Sequence, residues 1–301
     1  MKRAFCLAIL LTVASSVLAQ KYPTVAANPY KATLERLRST VQVPVSDWRG
    51  HAADLAHPEE AGLNDSDWSP VKVNEPWKKA AYWLRKTVEI PQQFNGYSPK
   101  GAKLQLDLYI TSDESVNVSV FSNGMLVSRG EEETQLPITL TENAEPGQKF
   151  VVAVRVLGPE EKTRVHRSQL LITPPSTRAD PGLIADEIDS VHPLIDAYAD
   201  GKEQRDQVLD SAVKAIDLAA LDKGDQVAFD ASLRKSQQTL EQLRPYVKKF
   251  SIHATGNSHI DMAWLWPWTE TVEVTRNTFG SVLELMNEYP QLTFTMATAQ
   301  R

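Results

Sequence analysis

Short stretches in which apolar and polar residues alternate recur from residue 41 to about residue 173, and they constrain the fold of this chain more than any other feature. Within KLQLDLYI, residues 103–110, every second side chain is Leu or Ile, and KFVVAVRVL, residues 149–157, repeats the pattern with Val. A period of two places such side chains on one face of a strand. Many strands of this kind, separated by Gly, Pro and Asn, predict a β-sandwich over residues 41–173.

A tight hairpin is predicted inside this segment at VFSNGMLV, because Asn123 and Gly124 readily take the positive φ angles of a primed turn. The stretches DSDWSPVKV, YWLRKTVEIP and VFSNGMLV resemble the galactose-binding-like jelly roll found at the front of many glycoside hydrolases. The resemblance implies that the predicted sandwich is a jelly roll.

Four tryptophans of this segment raise the question of sugar binding: they are Trp48, Trp68, Trp77 and Trp83. Exposed indole faces stack on sugar rings, which would make the sandwich a carbohydrate-binding module. Tryptophans in such strands more often belong to a core or a domain interface, with the indole N–H bonded. We therefore favour the core interpretation and keep the binding module as an alternative.

The start of the chain has the order of a cleavable signal peptide over residues 1–19. An apolar run from Ala4 to Val13 follows two basic residues, and small residues precede Gln20. The run is about half of the ~20 residues that span a bilayer, so we predict a secreted or periplasmic protein without a membrane anchor after cleavage. The single cysteine, Cys6, would leave with the signal, which excludes disulfides and thiolate chemistry from the mature chain.

Composition excludes one class of partner and leaves assembly open. The formal net charge is −6 and the chain has no block of Lys and Arg, so we predict no nucleic-acid partner. With 42% hydrophobic residues the chain can form two or more cores. Both a monomer and a homo-oligomer remain open.

Two segments flank the predicted sandwich. Residues 20–40 contain prolines and a short helix-like stretch, and we predict an N-terminal extension that packs on something larger. Over residues 174–249, apolar side chains recur every three or four positions in three stretches. These stretches predict a helical linker of three helices that leads to the last part of the chain.

The last part of the chain has the pattern of a βαβ unit. A strand is predicted at about residues 250–254, opening through Gly256 into a loop. A helix follows from Thr269, a plausible N-cap, to Asn287, and QLTFTMATA, residues 291–299, reads as a second strand. A right-handed crossover of this kind makes the two strands parallel.

His259 and Asp261 lie in the predicted loop, where parallel α/β folds carry their reactive groups. At this spacing in extended backbone both side chains point the same way, so an imidazole and a carboxylate can bind one ion. The spacing alone fits equally well a structural His hydrogen-bonded to a carboxylate. The tryptophans of AWLWPW, residues 263–268, favour a metal beside a sugar platform.

The stretch GNSHIDMAWLWPWTETVEVTRNTFGSVLELMNEYPQLTFTMATAQ resembles the opening of the catalytic domain in α-mannosidases of glycoside hydrolase family 38, over residues 250–301. The resemblance implies that His259 and Asp261 are zinc ligands, with Co²⁺ as another metal of similar preference. It implies that Trp264 stacks on the mannose ring. It also implies that the nucleophile lies beyond Arg301, so that no catalytic residue is expected within these 301 residues.

The family commonly carries a histidine where this chain has Asn257, so we expect altered hydrogen bonds around an intact metal site. The resemblance implies an exo-acting retaining α-mannosidase that hydrolyses terminal α-mannosides of glycans. These residues would be its inactive amino-terminal part, ending within the first βαβ unit of a β/α barrel. Two alternatives stay open. One is a non-catalytic, exported carbohydrate-binding protein, and the other is a metal-dependent amidohydrolase, which Asn257 in place of a histidine disfavours.

Overall fold

The computed structural model describes residues 28–52, 55–131, 135–160, 162–198, 200–251, 253–261 and 266–296. The predicted signal peptide, residues 1–19, lies outside the described residues, and so does Trp264. The chain divides into two compact units, Met1–Arg244 and Pro245–Arg301, which are described separately.

The strands of the first unit form two antiparallel sheets. They are β1 Gln42–Pro44, β2 Trp48–His51, β3 Ser69–Val71, β4 Trp77–Lys78, β5 Ala81–Glu89, β6 Lys103–Ser112, β7 Asn117–Ser122, β8 Met125–Glu131, β9 Gln135–Thr141, β10 Lys149–Leu157 and β11 Lys162–Thr173. Over the described residues, one sheet has the order β1-β11-β6-β9, with β4 also paired to β11. The other has the order β3-β2-β5-β10-β7-β8, and the predicted β-sandwich is confirmed.

One hydrophobic core lies between the two sheets. Leu104 and Leu106 of β6 and Val152 and Val154 of β10 are each fully buried in it, as the alternation in their strands predicts. The predicted hairpin turn is also confirmed, because Asn123 and Gly124 have φ angles of 49° and 84°. The core of the sandwich is thus formed by side chains that the alternating pattern predicts to be buried.

Helices complete the first unit. They are α1 Lys31–Val41, α2 Pro181–Asp196, α3 Lys202–Lys214, α4 Leu218–Asp222 and α5 Gln226–Leu240, followed by a 3-10 turn Glu241–Leu243. A short helix, α6 Arg244–Val247, begins at the last residue of this unit. The prediction of three helices over residues 174–249 was wrong. Asp217 and Asp225 each begin a new helix, because their carboxylates accept hydrogen bonds from the backbone N–H groups of Ala220 (2.9 Å) and Ala228 (3.1 Å).

Helix α1 packs into the same core as the sandwich and α2. Its Leu34 and Leu37 are buried within that core. On its outer side, Arg36 Nη2 lies 2.6 Å from Asp222 Oδ1, and Arg38 Nη2 lies 2.8 Å from Asp189 Oδ2. Because Arg36 reaches α4 while Arg38 reaches α2, this helix connects distant parts of the unit.

Arg178, in the segment that leads to α2, joins the helices to the sandwich. Its Nε donates to Asp230 Oδ2 of α5 at 3.0 Å, and its Nη1 donates to the carbonyl oxygen of Ser98 at 2.9 Å. The guanidinium carbon also lies 4.4 Å from the centre of the Tyr97 ring. A charge that is nearly buried in this way is stable only with such partners.

The chain between β2 and β3 covers the outer face of the six-stranded sheet, and a buried arginine holds it there. Arg85 of β5 is 2% exposed, and its Nε lies 3.1 Å from Asp65 Oδ2 in this loop. Its guanidinium also donates to the carbonyl oxygens of Pro58 and Glu60. The loop therefore packs as a part of the unit.

The second unit contains two parallel strands, β12 Gly256–Ser258 and β13 Phe294–Met296, joined through α7 Trp268–Glu288. The prediction of a strand over residues 250–254 was wrong at its described residues, 250, 251, 253 and 254, because the ladder begins only where β13 supplies a partner: Gly256 pairs with Phe294. A Cβ at Gly256 would lie 3.0 Å from Phe294 Cδ2, so the glycine makes room for that ring.

Helix α7 begins at Trp268, and Pro267 occupies the cap position. The prediction of Thr269 as N-cap was therefore wrong. The carbonyl oxygen of Pro267 accepts hydrogen bonds from the N–H groups of Glu270 (3.0 Å) and Thr271 (3.2 Å), so the cap lies two residues earlier than predicted. No helix in the described part of the chain is long and apolar enough to cross a membrane.

Candidate metal site

His259 and Asp261 follow β12 directly, and the structure brings their side chains together. His259 Nε2 lies 2.8 Å from Asp261 Oδ1. The two side chains are 74% and 41% exposed. The contact places an imidazole nitrogen beside a carboxylate oxygen, which fits both a hydrogen-bonded structural pair and two ligands of one ion.

The backbone explains why the pair meets at this place. Strand β12 ends at Ser258, so both residues lie just beyond the carboxyl end of a parallel strand. Asn257 lies within β12, and its side-chain oxygen accepts a hydrogen bond from Thr295 Oγ1 of β13 at 3.4 Å. Asn257 thus faces the neighbouring strand through its amide oxygen.

Trp266 attaches the site to α7, a role that the sequence did not indicate. Its Nε1 donates to the carbonyl oxygen of Asp261 at 3.2 Å and to Thr271 Oγ1 at 2.9 Å. Thr271 is 6% exposed and lies in the first turn of the helix. One indole therefore links the backbone of a candidate ligand to a buried helical side chain.

The tryptophans of the AWLWPW motif do not share one role. Trp264 lies outside the described residues. Trp268, on the first residue of α7, is 56% exposed, whereas the indole N–H of Trp266 is hydrogen-bonded within the unit. The pattern of the sequence showed three similar side chains, and only the fold separates an exposed ring from an anchored one.

The donor set suits a borderline-soft divalent metal. One imidazole nitrogen and one carboxylate oxygen are both ligands that zinc accepts, and a catalytic zinc usually takes three protein ligands. Within the described ranges, no cluster of three or more His, Cys, Asp or Glu side chains could hold a metal ion. Of such a set, the described residues bring together one imidazole and one carboxylate, those of His259 and Asp261.

Residues 249–301 match the model of the family described as "Glycosyl hydrolases family 38 N-terminal domain". Over 51 residues, the chain is 45% identical to Alpha-mannosidase 2C1 of Homo sapiens. These residues are 17% of this chain and 5% of that protein. The chain is 36% identical over 73 residues to Alpha-mannosidase of Saccharomyces cerevisiae, covering 24% of this chain and 7% of that protein. The matches thus span only a small part of either relative.

Among solved structures, the chain is similar to a glycosyl hydrolase family 2 member from Bacteroides cellulosilyticus, with a TM-score of 0.37 and 20% identity over 44% of this chain and 21% of that chain. A β-glucuronidase of Bacteroides uniformis gives a TM-score of 0.37 and 14% identity over 44% of this chain and 18% of that chain. A TM-score this low does not support an argument about the fold, and the fold is assigned from the strand pairing described above.

Proposed function

We propose that the protein is a metal-dependent, retaining α-mannosidase that hydrolyses terminal α-mannosides of glycans, because residues 249–301 match the model of the glycoside hydrolase family 38 N-terminal domain. The observation that carries the proposal is the exposed pair of His259 and Asp261, 2.8 Å apart, within that segment. The similarity to two curated α-mannosidases supports the choice of substrate.

His259 and Asp261 are the residues that would hold the metal, with zinc as the first choice and Co²⁺ as the second. A bound metal supplies a Lewis acid that can orient the vicinal hydroxyls of mannose. Trp266 donates its indole N–H to the backbone carbonyl oxygen of Asp261, and this contact would help to hold the ligand in place. Trp264 would stack on the sugar ring beside them.

A retaining glycosidase also needs a carboxylate nucleophile and a carboxylic acid that protonates the leaving oxygen. We assign neither role to a residue of this chain. Because two ligands do not complete a catalytic zinc site, we propose that these 301 residues alone are inactive and bind zinc weakly.

The architecture and the location belong to the same proposal. The sandwich would be a jelly roll of the galactose-binding-like class, and the unit of β12, α7 and β13 would be the first βαβ unit of a β/α barrel. The protein would be secreted or periplasmic, without a membrane anchor after signal cleavage. Its partner would be a mannose-terminated glycan and not a nucleic acid.

The test uses the product of the complete reading frame, assayed with an aryl α-mannoside before and after treatment with a chelator. We expect hydrolysis that the chelator abolishes and added zinc restores. His259→Ala and Asp261→Ala should each lower kcat/KM by about 100-fold or more, because a lost ligand costs at least as much as a lost partner of a ligand.

The matched control is His253→Ala, which removes another exposed histidine of the same unit and should leave activity unchanged. Hydrolysis that resists the chelator would exclude the metal. A protein that hydrolyses no α-mannoside would exclude the function.

A further inference from the structure

The outer face of the five-stranded sheet carries a cluster of polar and charged side chains around Tyr109 of β6. Asp107 and Tyr109 lie on this face because Leu106 and Leu108 beside them enter the core. The other members of the cluster come from β11, which pairs with β6. The cluster belongs to the first unit and contains no residue that matches the family 38 model.

A bulge in β11 brings two consecutive side chains to this face. The register with β6 shifts between Val165 and Arg167, so His166 is the extra residue. Val165 and Ser168 are buried on the core side, which leaves both His166 and Arg167 on the outer face. Bulges often lie beside functional sites, where they redirect a side chain. The sheet therefore presents an imidazole and a guanidinium at one place.

Arg167 is held in one orientation by a carboxylate and an aromatic ring. Its Nε donates to Asp107 Oδ2 at 2.8 Å, and Gln169 Nε2 donates to the same oxygen at 2.9 Å. Asp107 is 2% exposed, and a buried charge of this kind is stable only with such donors. The Arg167 guanidinium carbon lies 5.4 Å from the centre of the Tyr109 ring, and the His166 ring meets that ring edge-on at 5.3 Å.

The outer edge of this guanidinium is available to a ligand. The Arg167 side chain is 38% exposed, and in the described part of the chain neither Nη1 nor Nη2 donates a hydrogen bond to another residue. These two nitrogens form the fork that matches two oxygens of a carboxylate or a sulfate group. Because the Nε edge is already bound to a buried acid, the side chain loses little conformational freedom when the fork binds a ligand.

The charge around the fork favours an anion. Arg164 lies on the same face of β11, one outward position before the bulge, because Thr163 and Val165 on either side of it are buried. Over the described residues, Asp107 is the one carboxylate paired with either arginine, so two guanidinium charges stand against one negative charge. This local excess of positive charge contrasts with the formal net charge of −6 for the chain. It attracts an oxyanion and gives no advantage to a neutral ligand.

We propose that this cluster binds the oxyanion of a small acidic ligand, with two oxygens of its carboxylate or sulfate group on Nη1 and Nη2 of Arg167. Arg164 adds positive charge beside them. The site stands independently of the proposed hydrolysis. It uses none of the four tryptophans of the sandwich, of which Trp48, Trp68 and Trp83 are buried, as the core interpretation expected.

The test is a titration of the 301-residue chain with glucuronate, glucose 6-sulfate and glucose, followed in NMR spectra. The signals are the backbone N–H groups of β6 and β11 and the Nε–H of Arg167, which its bond to Asp107 protects from exchange. We expect at least one of the two acids to bind at millimolar concentrations and to shift these signals, while glucose leaves them in place. The tighter of the two acids shows whether a carboxylate or a sulfate group fits the fork better.

Arg167→Lys keeps the positive charge and removes the fork, so it should weaken binding of the acid by about tenfold. Arg164→Gln removes one positive charge without changing the bond between Arg167 and Asp107, and it should weaken binding by about threefold. The matched control is Arg129→Lys at an exposed position of β8 in the other sheet, which should leave the affinity unchanged.

Because Arg164→Gln leaves the buried carboxylate and its donors intact, it tests the site even if Arg167→Lys fails to fold. The proposal is overturned if neither acid binds or if glucose shifts the same signals to the same extent. It is also overturned if Arg167→Lys weakens binding no more than Arg129→Lys does, or if Arg164→Gln has no effect.

Discussion

Arg178 Nε lies 3.0 Å from Asp230 Oδ2, and both side chains are largely buried, at 15% and 9% exposure. We predict that Arg178→Ala lowers the free energy of unfolding by about 3 kcal/mol, because it leaves a buried carboxylate without its charged partner. Urea unfolding followed by circular dichroism measures this change.

The control for this prediction is Arg244→Ala, which removes an arginine 3.1 Å from Glu241 in a pair that is about 60% exposed on both sides. Exposed pairs contribute at most about 1 kcal/mol. Equal losses from the two substitutions would show that Arg178 does not hold the helices to the sandwich.

Gly96 lies in the turn between β5 and β6 with a φ angle of 86°, and a Cβ built there would lie 2.5 Å from the carbonyl oxygen of Leu221. We predict that Gly96→Ala destabilises the first unit by about 2 kcal/mol or more, through backbone strain and the clash with α4. Gly62→Ala serves as control, because a Cβ at Gly62 has nothing within 4 Å. The melting temperatures of both variants test this prediction. A Gly96→Ala variant that is as stable as the control would exclude the predicted strain and clash.

Trp266 fixes the backbone of Asp261 through its indole N–H. We predict that Trp266→Phe in the complete protein weakens zinc binding by about tenfold, because the ligand is then less well oriented. Competition with a chromophoric chelator measures the affinity. Trp268→Phe changes an exposed indole on the neighbouring helix and should leave the zinc affinity unaltered. Equal losses of zinc affinity in the two variants would argue against an orienting role for Trp266.

Burial, and then the charge of Glu241, raises the pKa of Glu187 above its ordinary value. The folded state therefore holds this proton more tightly than the unfolded state, and stability falls as pH rises through the interval between the two pKa values. We predict that Glu187→Gln raises Tm at pH 7 by about 1–2 °C.

This gain should vanish below about pH 4, where the carboxyl is protonated in both states. Glu203→Gln, at an exposed position of α3, is the matched control and should show no such pH-dependent gain. A Tm difference for Glu187→Gln that stays constant from pH 4 to 7 would exclude ionisation as its cause.

The sequence predicted strands well where period two was unbroken, and β11 shows why it failed elsewhere. No strand was predicted at Lys162–Thr173, which pairs with both β1 and β6. Its buried positions change from odd numbers at Thr163 and Val165 to even numbers at Leu170 and Ile172. The register shifts between Val165 and Arg167, and such a bulge hides the alternation from a reader of the sequence.

At the candidate site, the approach of His259 to Asp261 followed from their spacing, because two residues in extended chain point the same way. The role of Trp266 did not follow. Its partners, Asp261 and Thr271, are five residues away on either side, and which of them an indole reaches depends on the turn before α7. Local pattern therefore predicted that the two candidate ligands approach each other, while the contact with Trp266 required the fold.

The contacts of α1 set an order of events during synthesis. Arg36 and its partner Asp222 are 186 residues apart in sequence, and Arg38 is 151 residues from Asp189. A ribosome adds about 5–20 residues per second, so the helix is made about 8–37 seconds before these partners. During that interval the two arginines lack these partners, although the sandwich residues of the core that Leu34 and Leu37 join are made earlier. The ion pairs of this helix therefore form among the last contacts of the first unit.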